Sequence, residues 1–331
     1  MPLRFGPQVQ TLSRLSQLAV VAGGPPSSTG EAVVQHVVAA VMFDRGGRVL
    51  VTQRPAGKHM AGKWEFPGGK LEPGESRYQG LVRECREELD VDIDEAEPLI
   101  SVRHRYPDRE VLLDAWLVRS YRGMPRGLDG QKLSWVEPNE LSRIDLLEAD
   151  APIVTAIRLP RLARVLPGGA GLALAIRLPE PELLIWRPLP DDPETGELRV
   201  RVAAARAQGH CVLVAGDVVQ AATLAVAMGA DGVLLDPGSG GVSIDPADPA
   251  LVGVACEDAE AALQAVNSGA HFVVLRHFGP VSRARLAPLL ASLKVPVLLG
   301  WFADTDPLEA VREAGAHGCA VDPRLAGVRP R

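Results

Sequence analysis

The feature that most constrains the fold is a unit of helix, Gly-Ala pair and short apolar strand that occurs three times in the second half of the chain. The Gly-Ala pairs begin at Gly229, Gly269 and Gly315, so the unit recurs every 40 to 46 residues. Glycine after a helix takes the left-handed conformation that turns the chain into the next element. Helices that alternate with wholly apolar strands predict a parallel sheet covered by helices.

The second half of the chain contains eight candidate strands, which suit a (β/α)8 barrel of the TIM type, and an open doubly wound sheet is the structural alternative. We expect this barrel domain over residues 172–331. The segment 161–171, which contains the Pro/Gly-rich run LPGGAG, is the predicted interdomain linker. The candidate strands lie near residues 172–176, 183–186, 211–214, 232–235, 251–255, 272–275, 296–299 and 318–321.

The first half of the chain predicts a second α/β domain, over residues 32–160. Two apolar runs flank the short turn at residues 44–47, which is typical of a β-hairpin. Ser76, followed three residues later by Gln79, predicts a capping box at the start of a helix that runs to Leu89. Residues 1–31 end in the linker-like PPSSTG and predict a disordered extension.

Composition excludes several classes of protein. The 331 residues carry a formal net charge of −6, whereas a broad nucleic-acid-binding surface is normally basic. No apolar run reaches the roughly 20 residues that a membrane helix needs. The four cysteines are far apart and form no CxxC pair, so we expect buried, reduced thiols in a cytoplasmic protein. We therefore expect neither a nucleic-acid partner nor a membrane.

The residues that point to chemistry are three glutamates on one helical face. Glu84, Glu87 and Glu88 stand at i, i+3 and i+4, a spacing at which their charges repel. A divalent cation converts this repulsion into coordination, and carboxylate oxygens suit Mg²⁺ or Mn²⁺. The structural alternative is a solvated helix face with pairs such as Arg83–Glu87. Taken alone, such a helix is more often solvated than catalytic.

The wider pattern from Gly69 to Val91 resembles the Nudix box, Gx5Ex7REUxEExGU, where U is aliphatic. Two positions depart from it: Cys85 replaces an aliphatic residue, and Asp90 replaces a glycine that takes the helix C-terminal turn. Neither departure removes a ligand, because Cys packs as a small hydrophobe and Asp visits the left-handed region at modest cost. The resemblance implies an α/β/α sandwich with a mixed sheet.

The segments 53–62 and 63–75 make the first domain similar to the MutT branch, the 8-oxo-dGTP diphosphatases. The resemblance implies hydrolysis of 8-oxo-dGTP to 8-oxo-dGMP and pyrophosphate, with Mg²⁺ or Mn²⁺ as cofactor and a role in sanitising the nucleotide pool and avoiding mutation. Its metal ligands match Glu84, Glu87, Glu88 and the carbonyl of Gly68. Asp129 lies where the family has a catalytic loop glutamate that acts on the metal or its water.

The same resemblance implies a set of substrate-binding residues. Arg54 matches a phosphate-contacting arginine, Phe66 lies on the nucleoside side, and Arg109 matches a base-contacting arginine. Asp150 lies where the family has an asparagine that reads the purine edge. An ionised Asp only accepts hydrogen bonds, whereas a protonated Asp also donates. For His59 and His104 we expect packing or surface roles.

The second domain resembles thiamine phosphate synthase over about residues 170–325. Asp217 matches the metal-binding aspartate of that family. Other positions depart from it: Gly216, Val218 and Leu234 replace its Asn, Arg and His, and its loop lysine is missing. Trp301 and Phe302 follow Gly300 where the family has a glycine-rich phosphate loop. We expect a barrel that has lost synthase activity and binds an unidentified ligand or stabilises the first domain.

Three functions remain open at this point. The first is a MutT-type nucleoside triphosphate pyrophosphohydrolase. The second is a Nudix hydrolase of thiamine-pathway pyrophosphates, or a bifunctional protein with residual synthase activity. The third is a regulatory protein whose barrel senses a ligand, against which the intact carboxylate set argues.

Overall fold

A computed structural model describes residues 34–175, 178–238, 250–276, 286, 289–290, 292–302, 308–313 and 315–322. Within them the chain divides into two compact units, with the boundary between Arg158 and Leu159. The predicted extension over residues 1–31 lies outside the described residues. Each unit has its own sheets and its own apolar cores.

The N-terminal unit combines seven strands and two α-helices in the described range. Two 3-10 segments, Pro138–Arg143 and Glu148–Asp150, precede the second helix. The elements are β1 (Val34–Val41), β2 (Val49–Gln53), β3 (Trp64–Glu65), β4 (Gly68–Lys70), α1 (Arg77–Leu89), β5 (Asp92–Arg105), β6 (Glu110–Arg122), β7 (Lys132–Val136) and α2 (Ala151–Arg158).

The larger sheet of this unit has the strand order β4-β1-β6-β5 and is mixed, because β1 pairs in parallel with β6 and the other pairs are antiparallel. A smaller antiparallel sheet has the order β3-β2-β7. Neighbouring residues of β1 enter different cores: Val38 packs with Leu81 of α1, and Ala39 packs with Ile153 of α2. A helix therefore covers each face, and the expected α/β/α sandwich is confirmed.

Helix α1 begins and ends as its sequence predicts. The Ser76 hydroxyl accepts from the Gln79 backbone N–H, and the Gln79 side chain accepts from the Ser76 backbone N–H, which completes the capping box. Asp90 ends the helix in the left-handed region at φ 60°. Both caps are local, so they fix which residues of α1 share a face before any tertiary contact forms.

The C-terminal unit is a closed barrel of eight parallel strands, so the open-sheet alternative is wrong. The strands pair in chain order, and β15 closes the barrel against β8. The described elements are β8 (Leu162–Pro167), α3 (Gly168–Ala175), β9 (Leu183–Arg187), α4 (Thr195–Ala207), β10 (Cys211–Gly216), α5 (Val218–Met228), β11 (Gly232–Leu235), β12 (Leu251–Cys256), α6 (Ala259–Asn267), β13 (Phe272–Arg276), β14 (Val297–Phe302), α7 (Leu308–Glu313) and β15 (Gly318–Val321).

Seven of the eight predicted barrel strands are confirmed, and the one near residues 172–176 is wrong. Residues 168–175 form helix α3, and the first barrel strand is Leu162–Pro167, inside the segment predicted as a linker. A short apolar run does not by itself distinguish a buried strand from a buried helix. The Asp192 carboxylate accepts from the Gly169 N–H, and this tertiary contact supports the start of the helix at the glycine pair.

Successive residues of the barrel strands alternate between two cores. Ile185 faces the barrel interior and Trp186 the surrounding helices. In the interior, a Cβ on Gly253 of β12 would lie 2.2 Å from the buried Phe272 ring. Glycine at this position therefore makes room for the largest side chain of the interior.

Candidate active site

The site is built on the two glycines of β4, which bring backbone close to the carboxylates of α1. Gly68 has φ 146°, and a Cβ there would lie 2.1 Å from the Val38 carbonyl oxygen. A Cβ on Gly69 would lie 2.4 Å from Oε1 of Glu84. Only glycine permits this approach, so the Gly-Gly pair sets the distance between β4 and the three glutamates of α1. We call these residues, Glu84, Glu87 and Glu88, the acidic face of α1.

Arg83 of α1 is the centre of a hydrogen-bond network between α1 and β4. Its Nε and one terminal nitrogen donate to the two carboxylate oxygens of Glu75, each at 2.9 Å. The other terminal nitrogen donates to Glu84 and Glu87, each at 3.0 Å. The Lys70 carbonyl accepts a further bond at 2.9 Å. These bonds, with Glu75 first, raise the pKa of the Arg83 guanidinium, so it stays charged.

Glu84 and Glu88 form the crowded part of the acidic face. Burial is the main cause that raises the pKa of both carboxyls, and the charge of Glu84 contributes to the pKa of Glu88, which reaches about 7. The Gly68 N–H donates to Glu88 at 3.4 Å. Glu87 is different, because its side chain is 61% exposed and its contact is with Arg83.

These residues fit a divalent cation by their donor chemistry. Glu84 and Glu88 are carboxylates beside two glycines, and the charge of Glu84 raises the pKa of Glu88. Hard oxygen donors in this arrangement favour Mg²⁺ or Mn²⁺. Within the described residues, no three or more His, Cys, Asp or Glu side chains already surround one ion position. Arg83 takes up carboxylate oxygens of Glu84 and Glu87 instead.

A buried acidic group, Asp150, lies beside Phe66. Asp150 is 3% exposed, and its Oδ2 accepts from the Phe66 N–H at 3.4 Å. Burial raises the pKa of Asp150 well above its ordinary value, and the nearby charge of Glu65 adds to this effect. The structure therefore brings together Asp150 and Phe66, two of the residues that the sequence assigns to substrate binding.

Glu65 is a residue of this region that the sequence reasoning missed. It forms an ion pair with Arg54, and its charge raises the pKa of both Asp150 and Glu88. Glu65 thus lies between the acidic face of α1 and the buried aspartate. Its place directly before Phe66 was the available signal.

Arg109 lies over the aromatic ring of Tyr106. Its guanidinium carbon is 5.0 Å from the centroid of the Tyr106 ring, and it pairs with Asp108 at 2.9 Å. A terminal nitrogen lies 3.3 Å from Nδ1 of His59. His104 packs edge-on against Tyr106, which agrees with the packing role expected of it.

Asp129 stands on the loop between β6 and β7. Its carboxylate pairs with the Lys58 ammonium at 3.1 Å, and both side chains are about half exposed. The Asp129 N–H donates to Gln131 at 2.8 Å, and Gln131 donates to the Glu88 carbonyl at 2.9 Å. The loop is therefore attached to the end of α1 that carries the carboxylates.

Asp217, which matches the metal-binding aspartate of the thiamine phosphate synthases, caps a helix in the barrel. Oδ1 of Asp217 accepts from the N–H groups of Val219 and Gln220, each at 3.0 Å, so Asp217 caps helix α5. Asp258 caps α6 in the same way. At the carboxyl ends of the strands, Arg187 makes a bidentate pair with Asp236. Each of these acids therefore already accepts donors from the protein.

Known proteins resemble part of this chain. A protein-family model described as NUDIX domain matches residues 38–156. The CTP pyrophosphohydrolase of Escherichia coli (strain K12) is 40% identical over 127 residues, which cover 38% of this chain and 94% of that protein. The 8-oxo-dGTP diphosphatase of Proteus vulgaris is 42% identical over 87 residues, which cover 26% of this chain and 78% of that protein.

A solved structure of a thiamine phosphate pyrophosphorylase from Pyrococcus furiosus is also similar to this chain. It is 20% identical with a TM-score of 0.39, and the alignment covers 52% of this chain and 91% of that one. The family match, residues 38–156, lies within the N-terminal unit, where the carboxylate face of α1 is found.

Proposed function

The chain belongs to the Nudix family, and we propose that its N-terminal unit is a metal-dependent nucleoside triphosphate pyrophosphohydrolase that converts 8-oxo-dGTP and water to 8-oxo-dGMP and pyrophosphate. The observation that carries this proposal is the acidic face of α1, where Arg83 holds Glu75 and Glu84 below the Gly68–Gly69 backbone. Crowded carboxylates cost stability, and binding a cation and a phosphate chain explains why they are present.

Glu84, Glu87, Glu88 and the Gly68 carbonyl would hold Mg²⁺ or Mn²⁺, which supplies positive charge to the phosphate oxygens and lowers the pKa of water. In the reaction the oxygen of a water molecule bonds to phosphorus. With pyrophosphate as the leaving group, the phosphorus attacked is the α-phosphorus. Its bond to the α–β bridging oxygen breaks, and pyrophosphate departs with the electron pair of that bond. We assign Asp129 as the base that accepts the proton of the water. Arg83 orients Glu84 through the hydrogen bond between them.

Base recognition involves Asp150, Phe66 and Arg109. Burial raises the pKa of Asp150 well above its ordinary value and so favours the neutral carboxylic acid. A neutral acid donates through its O–H and accepts through its C=O, as an amide does. We therefore propose that Asp150 reads a purine edge in place of an asparagine. Phe66 and Arg109 border the same side, and Arg54 is the assigned phosphate contact.

A pyrimidine triphosphate is the second candidate substrate. It is favoured by the 40% identity to the CTP pyrophosphohydrolase of Escherichia coli. Asp150 distinguishes the two candidates, because cytosine and 8-oxoguanine present different donors and acceptors to a carboxylic acid.

We place the reaction in the cytoplasm, as part of nucleotide-pool sanitation. Among the described helices, none is both long and apolar enough to cross a bilayer.

The test is a comparison of kcat/KM for four substrates by the full-length protein with Mg²⁺: 8-oxo-dGTP, dGTP, CTP and hydroxymethylpyrimidine pyrophosphate. We expect 8-oxo-dGTP to be preferred by at least about tenfold and the products to be the monophosphate and pyrophosphate. Asp150→Asn should keep this preference, whereas Asp150→Leu should lose it. A preference for CTP would replace 8-oxo-dGTP as substrate, and turnover of the pyrimidine pyrophosphate alone would contradict a nucleotide substrate.

A further inference from the structure

The loop between β2 and β3, residues 54–63, is closed at its base by hydrogen bonds, and we call it the Lys58 loop. The Arg54 N–H donates to the Lys63 carbonyl at 2.9 Å, and the Gly62 N–H donates to the Arg54 carbonyl at 3.0 Å. The Arg54 side chain donates across the loop to the His59 carbonyl at 2.7 Å. The tip, Lys58 and His59, is therefore held in a defined position.

The two tip residues contact two other loops of the site. Lys58 pairs with Asp129 at 3.1 Å, and Nδ1 of His59 lies 3.3 Å from Arg109. Asp129 is the assigned base, and Arg109 is assigned to the nucleobase. The tip of the Lys58 loop thus lies between the residues assigned to the two ends of the substrate.

Lys58 is less engaged by the protein than the three arginines of this region. Arg83 is engaged by three carboxylates, and Arg54 binds Glu65 and a carbonyl. Arg109 binds Asp108 and lies against Tyr106. The Lys58 side chain is 48% exposed and makes one described ion pair, to an aspartate that is also about half exposed.

The ammonium of Lys58 also acts on the acidic face. Its charge lowers the pKa of Glu65 and Glu88, which partly offsets the increase that burial causes in both carboxyls. Lys58 pairs with Asp129, and Gln131 of the same loop as Asp129 donates to the Glu88 carbonyl at 2.9 Å, so these contacts connect Lys58 to the carboxylate end of α1. The phosphate chain of a nucleoside triphosphate carries more negative charge than one carboxylate, so it competes with Asp129 for the ammonium.

We propose that Lys58 is a substrate-contacting residue that changes partner during the reaction. In the free protein its ammonium pairs with Asp129. In the substrate complex it binds an oxygen of the leaving pyrophosphate, and Asp129 is released to accept the proton of the attacking water. This inference rests on the proposed function, and it involves no covalent step at Lys58.

The test compares Lys58→Met, Lys58→Arg and the control Lys63→Met in the full-length protein. Lys63 is on the same loop, and its ammonium also pairs with a carboxylate, that of Asp145 at 2.7 Å, but it has no assigned role. We expect Lys58→Met to lower kcat/KM by about tenfold or more, the usual effect of losing one charged hydrogen bond. Lys58→Arg should retain most of the wild-type kcat/KM, and the kcat/KM of Lys63→Met should equal that of the wild type.

Product inhibition tests whether Lys58 contacts the leaving pyrophosphate or only adds positive charge to the site. Lys58→Met should weaken inhibition by pyrophosphate about tenfold and leave inhibition by the nucleoside monophosphate unchanged. Its melting temperature should stay within about 3 °C of the wild type, because a half-exposed ion pair stabilises little. Equal kinetics for Lys58→Met and Lys63→Met would overturn the proposal. So would a raised kcat with unchanged KM, since Lys58 would then only restrain Asp129.

Calorimetric titration of pyrophosphate without metal gives a readout that does not depend on turnover. We expect the wild type to bind pyrophosphate more tightly than Lys58→Met does. If the wild type hydrolyses no nucleotide, the proposed function fails, but equal pyrophosphate affinities of the two proteins would still overturn the role of Lys58.

Discussion

The two units use their carboxylates in opposite ways. In the N-terminal unit Asp150 is buried and Glu84 and Glu88 are partly buried, each near other acids, and burial raises the pKa of all three. In the barrel, Asp217 and Asp258 accept backbone N–H groups at helix starts. The first arrangement places like charges close together, which is unfavourable, whereas the second stabilises helices.

This difference shows how to interpret an aspartate at the end of a barrel strand. Such a position is typical of catalytic residues in (β/α)8 barrels, and Asp217 follows β10 directly. Its hydrogen bonds, however, are those of a helix cap. The candidate chemistry of this protein therefore lies in the unit whose acids remain crowded, and the predictions below test that assignment.

The largest expected difference is between Glu88→Gln and Asp217→Ala. Glu88→Gln removes one charge from the acidic face, and we expect kcat to fall by at least about 100-fold. Asp217→Ala should leave kcat unchanged and cost about 1 kcal/mol of barrel stability through the lost cap. Steady-state kinetics and urea melts of both variants check this. Loss of hydrolysis in Asp217→Ala would place the barrel in the reaction.

A glycine-to-alanine substitution should likewise act on activity in one unit and on stability in the other. Gly69→Ala places a Cβ 2.4 Å from the Glu84 carboxylate, so we expect kcat to fall by about tenfold to 100-fold as that side chain moves. Gly253→Ala places a Cβ 2.2 Å from the Phe272 ring and should destabilise the barrel by about 1–3 kcal/mol. Unchanged turnover in Gly69→Ala would mean that the position of Glu84 does not matter.

The barrel should be the more acid-sensitive unit because of His317, which is buried before β15. Its Nε2 lies 2.7 Å from the Leu159 carbonyl, and burial, with the charges of Arg161 and Arg312, lowers its pKa from 6.5 to about 4. Below pH 6.5 the unfolded chain binds the proton more readily. The stability contributed by neutral His317 is therefore complete above pH 6.5 and falls towards pH 4, by on the order of 3 kcal/mol.

Hydrogen exchange of residues 318–321 at pH 7.5 and pH 5 measures this loss. The matched variant is His317→Gln, which keeps an amide donor but does not ionise between these pH values. We expect a smaller change in protection between the two pH values in His317→Gln than in the wild type. Equal changes would assign the acid sensitivity to other groups.

The smallest expected effect is that of removing the barrel. A fragment of residues 27–158, which ends at the boundary of the two units, contains every residue assigned to hydrolysis. We expect its kcat/KM to equal that of the full chain within about twofold. Gel filtration and circular dichroism establish that the fragment is folded. A folded but inactive fragment would show that the barrel contributes to the site.

The sequence predicted those parts of the molecule that depend on local spacing. The i, i+3, i+4 glutamates, the Ser76 capping box and the Asp90 helix end all appear where the sequence places them. The Gly-Ala repeat predicted the three strands that follow Gly229, Gly269 and Gly315, and short apolar runs predicted four more barrel strands. Strand β8 was missed because its six residues, Leu162–Pro167, become recognisable only when β9 and β15 pair with them.

By itself, then, the sequence determined the two α/β folds and the face of α1 that carries chemistry, because helix periodicity and caps act over a few residues. Only the tertiary structure decided that Arg83 engages three carboxylates, that Asp217 is a cap, and that Lys58 reaches Asp129. Lys58 and Asp129 are 71 residues apart in the chain. Contacts of this kind depend on how sheets and loops pack, and burial then sets the pKa values that make a carboxylate either a ligand or a structural acceptor.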